Sequence, residues 1–290
     1  MPEAFSFESQ FRGAIRQRYH HEPLTLGRVL VVTDLAHDRA DVVRQSTQRL
    51  LGKLPAAAGI SWDLITKDDF PQLPALVARI DADQPELVVA SRNLGEYPRF
   101  PENTLGTYVD NLTQATDVPV LVLPVRHDAD EGARELTQQL QATQRVLVVT
   151  DHLTEDPQLI RWGAELTAPG GTLYLTHIED ECVFERYMTI ISKIPEIDDD
   201  FARQAIRERL LKEAHDFCSE AGQVLASQKE GVTVEPMVEM GEPLAVVRAW
   251  LAEHEVDLVV ADAKDPQSAA MSALTHALAV EFVDTPLLLL

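Results

Sequence analysis

The heptapeptide RVLVVTD occurs twice, letter for letter, as residues 28–34 and 145–151. Each copy is a short apolar run that ends in an aspartate, Asp34 or Asp151, and such a run reads as a strand buried on both faces of a parallel sheet. Two further anchors recur in the same order: ELVVAS (86–91) is echoed by DLVVAD (257–262), and DVPVLVL (117–123) by DTPLLLL (284–290). A chain of 290 residues is long for one core and comfortable for two, so length and repetition point the same way.

Between the anchors lie segments with helical spacing, such as DVVRQSTQRLLGKL after the first strand and PLAVVRAWLAEHE before DLVVAD. Alternating strand and helix predicts βαβ units and hence two doubly wound parallel-sheet α/β domains. The expected layout is an N-terminal arm (1–26), a shortened first domain (27–127), a linker (128–143) and a complete second domain (144–290). The second copy has room for five strands, whereas Asp34 to Leu87 spans 53 positions against 107 from Asp151 to Leu258. ISWDLITKDDFPQLPALVARI matches VTVEPMVEMGEPLAVVRAWL in character, so the first copy is expected to lack the counterpart of GTLYLTHI and of the excursion after it.

That excursion, 179–228, is the most individual stretch. From Asp199 it carries Phe201, Ala205, Leu210, Ala214 and Phe217 at near-helical spacing, which predicts an amphipathic helix covering the sheet. Its earlier part, CVFERYMTIISKIP, is more apolar than a connector requires; core packing, an inter-domain contact, a ligand pocket and a partner surface all fit.

Composition narrows the function classes. The formal charge of −22 repels phosphate backbones and no basic stripe offsets it, which excludes nucleic acid as a partner. The acidity belongs to residues 128–290, with 12 Lys/Arg against 31 Asp/Glu. No run approaches the roughly 20 apolar residues of a membrane span and the first residues are too polar for a secretory signal, so a cytoplasmic, non-spanning chain is expected. Cys182 and Cys218 lie far apart without CxxC spacing, the pattern of two reduced thiols. His20, His21, His37, His152 and His177 lack HxxxH or HExxH spacing, and EIDDD lacks the glycine of a calcium loop, so no metal is expected. GxSxG, P-loop, GxGxxG and catalytic Cys/His signatures are absent, and no enzyme is predicted.

The order and spacing of the anchors, with Gly241 and Pro243 before a helix and the Val118-Pro119 and Thr285-Pro286 steps into the last strands, resemble the universal stress protein family in its tandem form. The resemblance covers roughly residues 27–126 and 144–290. It implies an adenine nucleotide alpha hydrolase-like fold, dimer-like pairing of the two domains and a role in stress adaptation. Nucleotide-binding members carry a loop after the fourth strand resembling G-x-x-G, a nine-residue spacer, then G-[S/T]. Its glycines let backbone N–H groups close on phosphates at a helix start.

In this chain the second-copy loop, AKDPQSAAMSALTHALAVEF, has no glycine and puts Asp265 where a phosphate would arrive. The first copy keeps Gly95, then ten residues, then Gly106-Thr107, with Ser91 or Arg92 in place of the first glycine. Arg92 and Arg99 are candidate anion contacts, and the step before Gly106 is equally a helix-capping arrangement. Asp34 and Asp151 would by resemblance face the adenine or ribose; they read equally well as turn or capping residues.

The candidate nucleotide residues are therefore Asp34, Arg92, Gly95, Gly106, Thr107 and Asp151. The expected function is that of a non-catalytic regulatory protein of universal stress type, acting through protein contacts, with degenerate nucleotide sites and no required cofactor. One alternative is an ATP- or AMP-binding sensor, or slow ATPase, using the first-copy loop. Another is a cytosolic accessory of a membrane ion transporter. The expected partner is a protein, a second copy or a transporter, and Arg12, Arg16 and Arg18 beside Phe5, Phe7, Phe11 and Ile15 would let the arm dock on a neighbour or pack on its own domain.

Overall fold

The computed structural model describes residues 19–52, 54, 57–66, 68–69, 72–96, 104–124, 143–150, 157–194, 198–229, 231–264 and 271–290. The first half runs β1 (Arg28–Val32), α1 (His37–Leu51), β2 (Ser61–Ile65), α2 (Leu73–Asp83), β3 (Leu87–Ser91), α3 (Thr107–Ala115) and β4 (Val120–Leu123). The second runs β5 (Arg145–Thr150), α4 (Pro157–Leu166), β6 (Thr172–Asp180), α5 (Glu181–Ile191), α6 (Asp199–Gln228), β7 (Thr233–Gly241), α7 (Pro243–His254), β8 (Leu258–Ala261), α8 (Ala273–Glu281) and β9 (Leu287–Leu289). Among the described residues, no helix is long and apolar enough to cross a membrane.

All the strands join one nine-stranded sheet in the order β2-β1-β3-β4-β9-β8-β5-β6-β7. Every pairing is parallel except β4 with β9, where Leu121 faces Leu288 across an antiparallel seam. Reading outward from the seam, β4-β3-β1-β2 mirrors β9-β8-β5-β6, so the repeated anchors occupy matching places. Because the seam is antiparallel, the carboxyl ends of the two sets of strands lie at opposite edges of the sheet.

The repeated acid before each LVVA anchor has a structural job. The Glu86 carboxylate accepts the N–H groups of Gly27 and Arg28, and the Asp257 carboxylate accepts those of Gln144 (2.9 Å) and Arg145 (2.8 Å). Each acid thereby satisfies donors at the start of the neighbouring heptapeptide strand.

Two apolar layers cover the sheet and run through both halves. One packs α1, α4 and the second half of α6 on Val29, Val31, Val146 and Val148; the other packs α2, α3, α7 and α8 on Leu30, Val32, Leu147 and Val149. Alternate residues of each heptapeptide thus serve opposite layers, as the two-residue repeat of a strand requires. Each fully buried Leu, Ile or Val contributes about 1.5–3 kcal/mol of transfer free energy.

Two expectations change. The position beside β1 is filled: β2 pairs with β1, Arg28 opposite Ser61, as β6 pairs with β5, Arg145 opposite Thr172. The first half therefore lacks an outermost strand like β7 rather than the neighbour of its first strand. An unpaired β1 edge would leave backbone donors and acceptors without partners, so the surviving strand takes that place. Secondly, α6 covers the sheet only with its second half, where Ala214, Phe217, Cys218, Ala221 and Leu225 are buried; Phe201 is 74% exposed. Its first half packs against α5 over Phe184, Met188 and Met240.

Of the two alternatives for the arm, residues 19–26 follow the one in which it packs on its own chain, while residues 1–18 lie outside the described residues. Tyr19, Leu24 and Leu26 are buried in the layer of α1 and α4. Arg161 of α4 donates to the carbonyls of Glu22 (2.9 Å) and Pro23 (2.7 Å). The segment straps the second half to the strand that opens the first.

Candidate functional site

The β1–β3 pairing sets Val32 beside Ala90, so Thr33-Asp34 and Ser91-Arg92 leave the sheet at the same edge. This is the switch point of the first half, the place where open α/β sheets bind ligands. Asp34 is half-buried at the bend after β1, where Thr33 Oγ1 accepts the Leu35 N–H (3.2 Å). Helix α1 begins behind Ala36, which brings no capping side chain.

Arg92 turns toward the seam. Its guanidinium donates to the carbonyls of Thr104 and of Phe282, each at 3.4 Å, the latter at the carboxyl end of α8 in the other half. Burial pulls it down to about 10 despite Asp110 and Asp284, whose charges favour the cation. The buried Ser91 hydroxyl and Arg92 Nε meet no hydrogen-bond partner among the described residues.

Gly95 and Gly106 both adopt positive φ, +69° and +91°. At Gly106 the requirement is steric as well, because a Cβ there would lie 2.7 Å from the Asn93 Cα. The loop folds back on itself: Asn93 N–H donates to the Leu105 carbonyl (2.7 Å), and Gly106 N–H to Thr104 Oγ1 (3.0 Å). Thr107, the first residue of α3, donates its N–H to both carboxylate oxygens of Glu96 at 3.2 Å. A carboxylate of the loop itself thus occupies the positive end of α3, where a phosphate would otherwise be drawn. Asp110 adds a second acid in the first turn, its carboxyl pushed up by burial and by Glu96, with His276 and Arg92 opposing.

In the second half, β5 pairs with β8, Val149 beside Ala261, which forms the corresponding switch point. Asp151, Arg99 and Asp265 lie outside the described residues. Lys264 is ion-paired at 2.6 Å with Asp117, across the seam in the first half. Ser272 caps α8, its Oγ accepting the Thr275 N–H (3.0 Å). Among the described residues no group of three or more His, Cys, Asp or Glu could hold a metal ion.

The structure therefore brings Asp34, Arg92, Gly95, Gly106 and Thr107 to one edge, with the Arg92 guanidinium engaged by the carbonyls of Thr104 and Phe282. Sequence reasoning missed Glu96, whose position one residue after Gly95 was the available signal. It also missed a buried chain of polar groups. Tyr19 Oη meets His21 Nδ1 (2.9 Å), His21 Nε2 meets Glu165 Oε1 (2.8 Å), and Lys229 Nζ lies 3.2 Å from Glu165 Oε2. These groups come from three distant segments, so no local spacing announces them. Burial pushes the Tyr19 phenol up and pulls the Lys229 ammonium down.

The sequence profile of the universal stress protein family matches residues 142–279. A functionally unknown protein from Pseudomonas aeruginosa PAO1 superposes with a TM-score of 0.50 at 15% identity, covering 92% of each chain. A candidate universal stress protein from Pseudomonas aeruginosa UCBPP-PA14 gives 0.52 at 14% identity, covering 92% of this chain and 93% of that one. At such identities the likeness speaks for the fold alone. Among curated proteins none is significantly similar in sequence. Strand order, repeated anchors and matched residues agree: the second half of the chain, over residues 142–279, is a universal stress protein domain.

Proposed function

We propose that this chain is a non-catalytic regulatory protein of universal stress type that acts through protein contacts and requires no cofactor. The observation that carries the proposal is the Glu96 carboxylate on the Thr107 N–H. A nucleotide phosphate approaching α3 has to displace that carboxylate and meets Asp110 behind it, so charge repulsion replaces the usual attraction. The Ser272 cap on α8 and the diversion of Lys264 to Asp117 support the same reading for the second half. The test is calorimetry on nucleotide-stripped protein with ATP, ADP and AMP. No heat of binding is expected from any of the three, and micromolar affinity for one of them overturns the proposal.

A second reading, an adenine-nucleotide sensor or slow ATPase, draws on Gly95 and Gly106 at positive φ and on the buried Ser91 hydroxyl at the same edge. It requires Glu96 to swing aside on binding. The same calorimetry decides between the two.

A further inference from the structure

The exposed large apolar side chains of the described molecule, Tyr187 (46%), Ile190 (56%), Ile194 (41%) and Phe201 (74%), all fall on or beside the α5–α6 hairpin. Half-buried Val183 joins Tyr187, Ile190 and Ile194 at alternating four- and three-residue spacing, a coiled-coil seam that faces solvent. The opposite stripe, Phe184 and Met188, already fills the small core under the hairpin. Arg186 and Lys193 flank the outer stripe seven positions apart and make no ion pair among the described residues, whereas Arg203, Arg209 and Lys212 are paired with Glu185, Glu213 and Asp216. The first turn of α6 supplies the complement: exposed Phe201 behind Asp198, Asp199 and Asp200.

We propose that this hairpin docks on the hairpin of a second copy of the chain about a twofold axis, α5 of each against the start of α6 of the other. The surface is self-complementary, as an isologous contact must be: one helix offers apolar residues flanked by cations, the other an aromatic anchor flanked by anions. Charge permits it here and opposes it elsewhere. Residues 181–213 hold 6 Lys/Arg against 8 Asp/Glu, nearly neutral in a chain of formal charge −22. The edge that pairs the two halves, β4 with β9, is consumed within the chain, so association between chains needs another surface. The inference rests on the protein-contact reading only in supplying its partner, and its test uses no nucleotide, so either fails without the other.

Sedimentation equilibrium of the full chain at micromolar concentration is expected to give a dimer. Phe201→Asp changes an exposed side chain in a first helical turn, where an acid is tolerated, so its circular dichroism should match the parent while the dimer weakens about tenfold or more. Lys193→Glu should weaken the dimer as well, and Lys193→Glu with Asp200→Lys should recover part of the loss. A parent chain that stays monomeric, or a Phe201→Asp dimer as tight as the parent's, overturns the proposal. Binding of a monomeric parent to anionic vesicles also overturns it, in favour of a membrane surface.

Discussion

At the first residue of each heptapeptide, Arg28 and Arg145, the two halves use the same groups: an acid from the neighbouring anchor holds the strand's first N–H groups, and further acids meet the guanidinium. Arg28 lies 3.0 Å from Asp63, and Arg145 lies 2.8 Å from Glu255. At the other end the copies part. The first-half loop keeps glycines at positive φ but closes its helix with Glu96; the second has no glycine and closes α8 with Ser272. The strand starts are constrained by the ladder, which both halves need. The strand ends open into the loops of the two switch points, which the ladder does not constrain, and there the two copies differ.

The largest effect is expected where the halves are tied together. Glu165→Ala removes the acid between His21 and Lys229, both substantially buried, and leaves a buried polar group and a cation without their partner. The expected cost is about 3–5 kcal/mol, read as a fall in the denaturant midpoint. Because both apolar layers run through the two halves, the loss should appear in a single cooperative transition. Two transitions with only one of them shifted would show that the copies fold independently.

A smaller effect separates the two loops. Gly106→Ala places a Cβ 2.7 Å from the Asn93 Cα at φ +91°, so the backbone has to move or hold a strained conformation, at about 1–3 kcal/mol. The second-half loop has no glycine to lose, and Ser272→Ala there should cost about 1 kcal/mol through the lost cap. Thermal denaturation of the two variants ranks them. Equal losses would mean that the Gly106 conformation relaxes freely and that the first-half loop is no more constrained than the second.

Much of this was legible in the sequence. The anchors announced their strands because continuous Val/Leu runs between helical segments have few other uses. The dimer-like pairing that the family resemblance implies did not say how the two sheets meet, and their joining into one sheet through the antiparallel β4–β9 seam was not legible. The place of β2 was not legible, since ISWDLI carries no record of which neighbour it pairs with; that was decided by the open edge of β1. Nor was the aim of Arg92. A cation near a candidate phosphate loop reads as an anion contact until the carbonyl of Phe282, 190 residues away, is brought beside it. Phe201 was misplaced on the sheet because helical period identifies a stripe without saying how far the sheet extends beneath it.

The smallest expected effect sharpens what the halves share. Glu86→Ala and Asp257→Ala each take away the carboxylate that holds the opening N–H groups of a heptapeptide strand. These groups lie near the surface, where water can replace the acid, so each substitution should cost only about 1 kcal/mol. The informative quantity is the difference between the two. If the acids serve one purpose, the losses agree within a few tenths of a kcal/mol and add in the double variant, since distant sites without shared partners behave independently. A clearly larger loss at Asp257 would mean that its added proximity to Arg145 Nε, 3.9 Å away, has made the second copy's strand start a different device from the first.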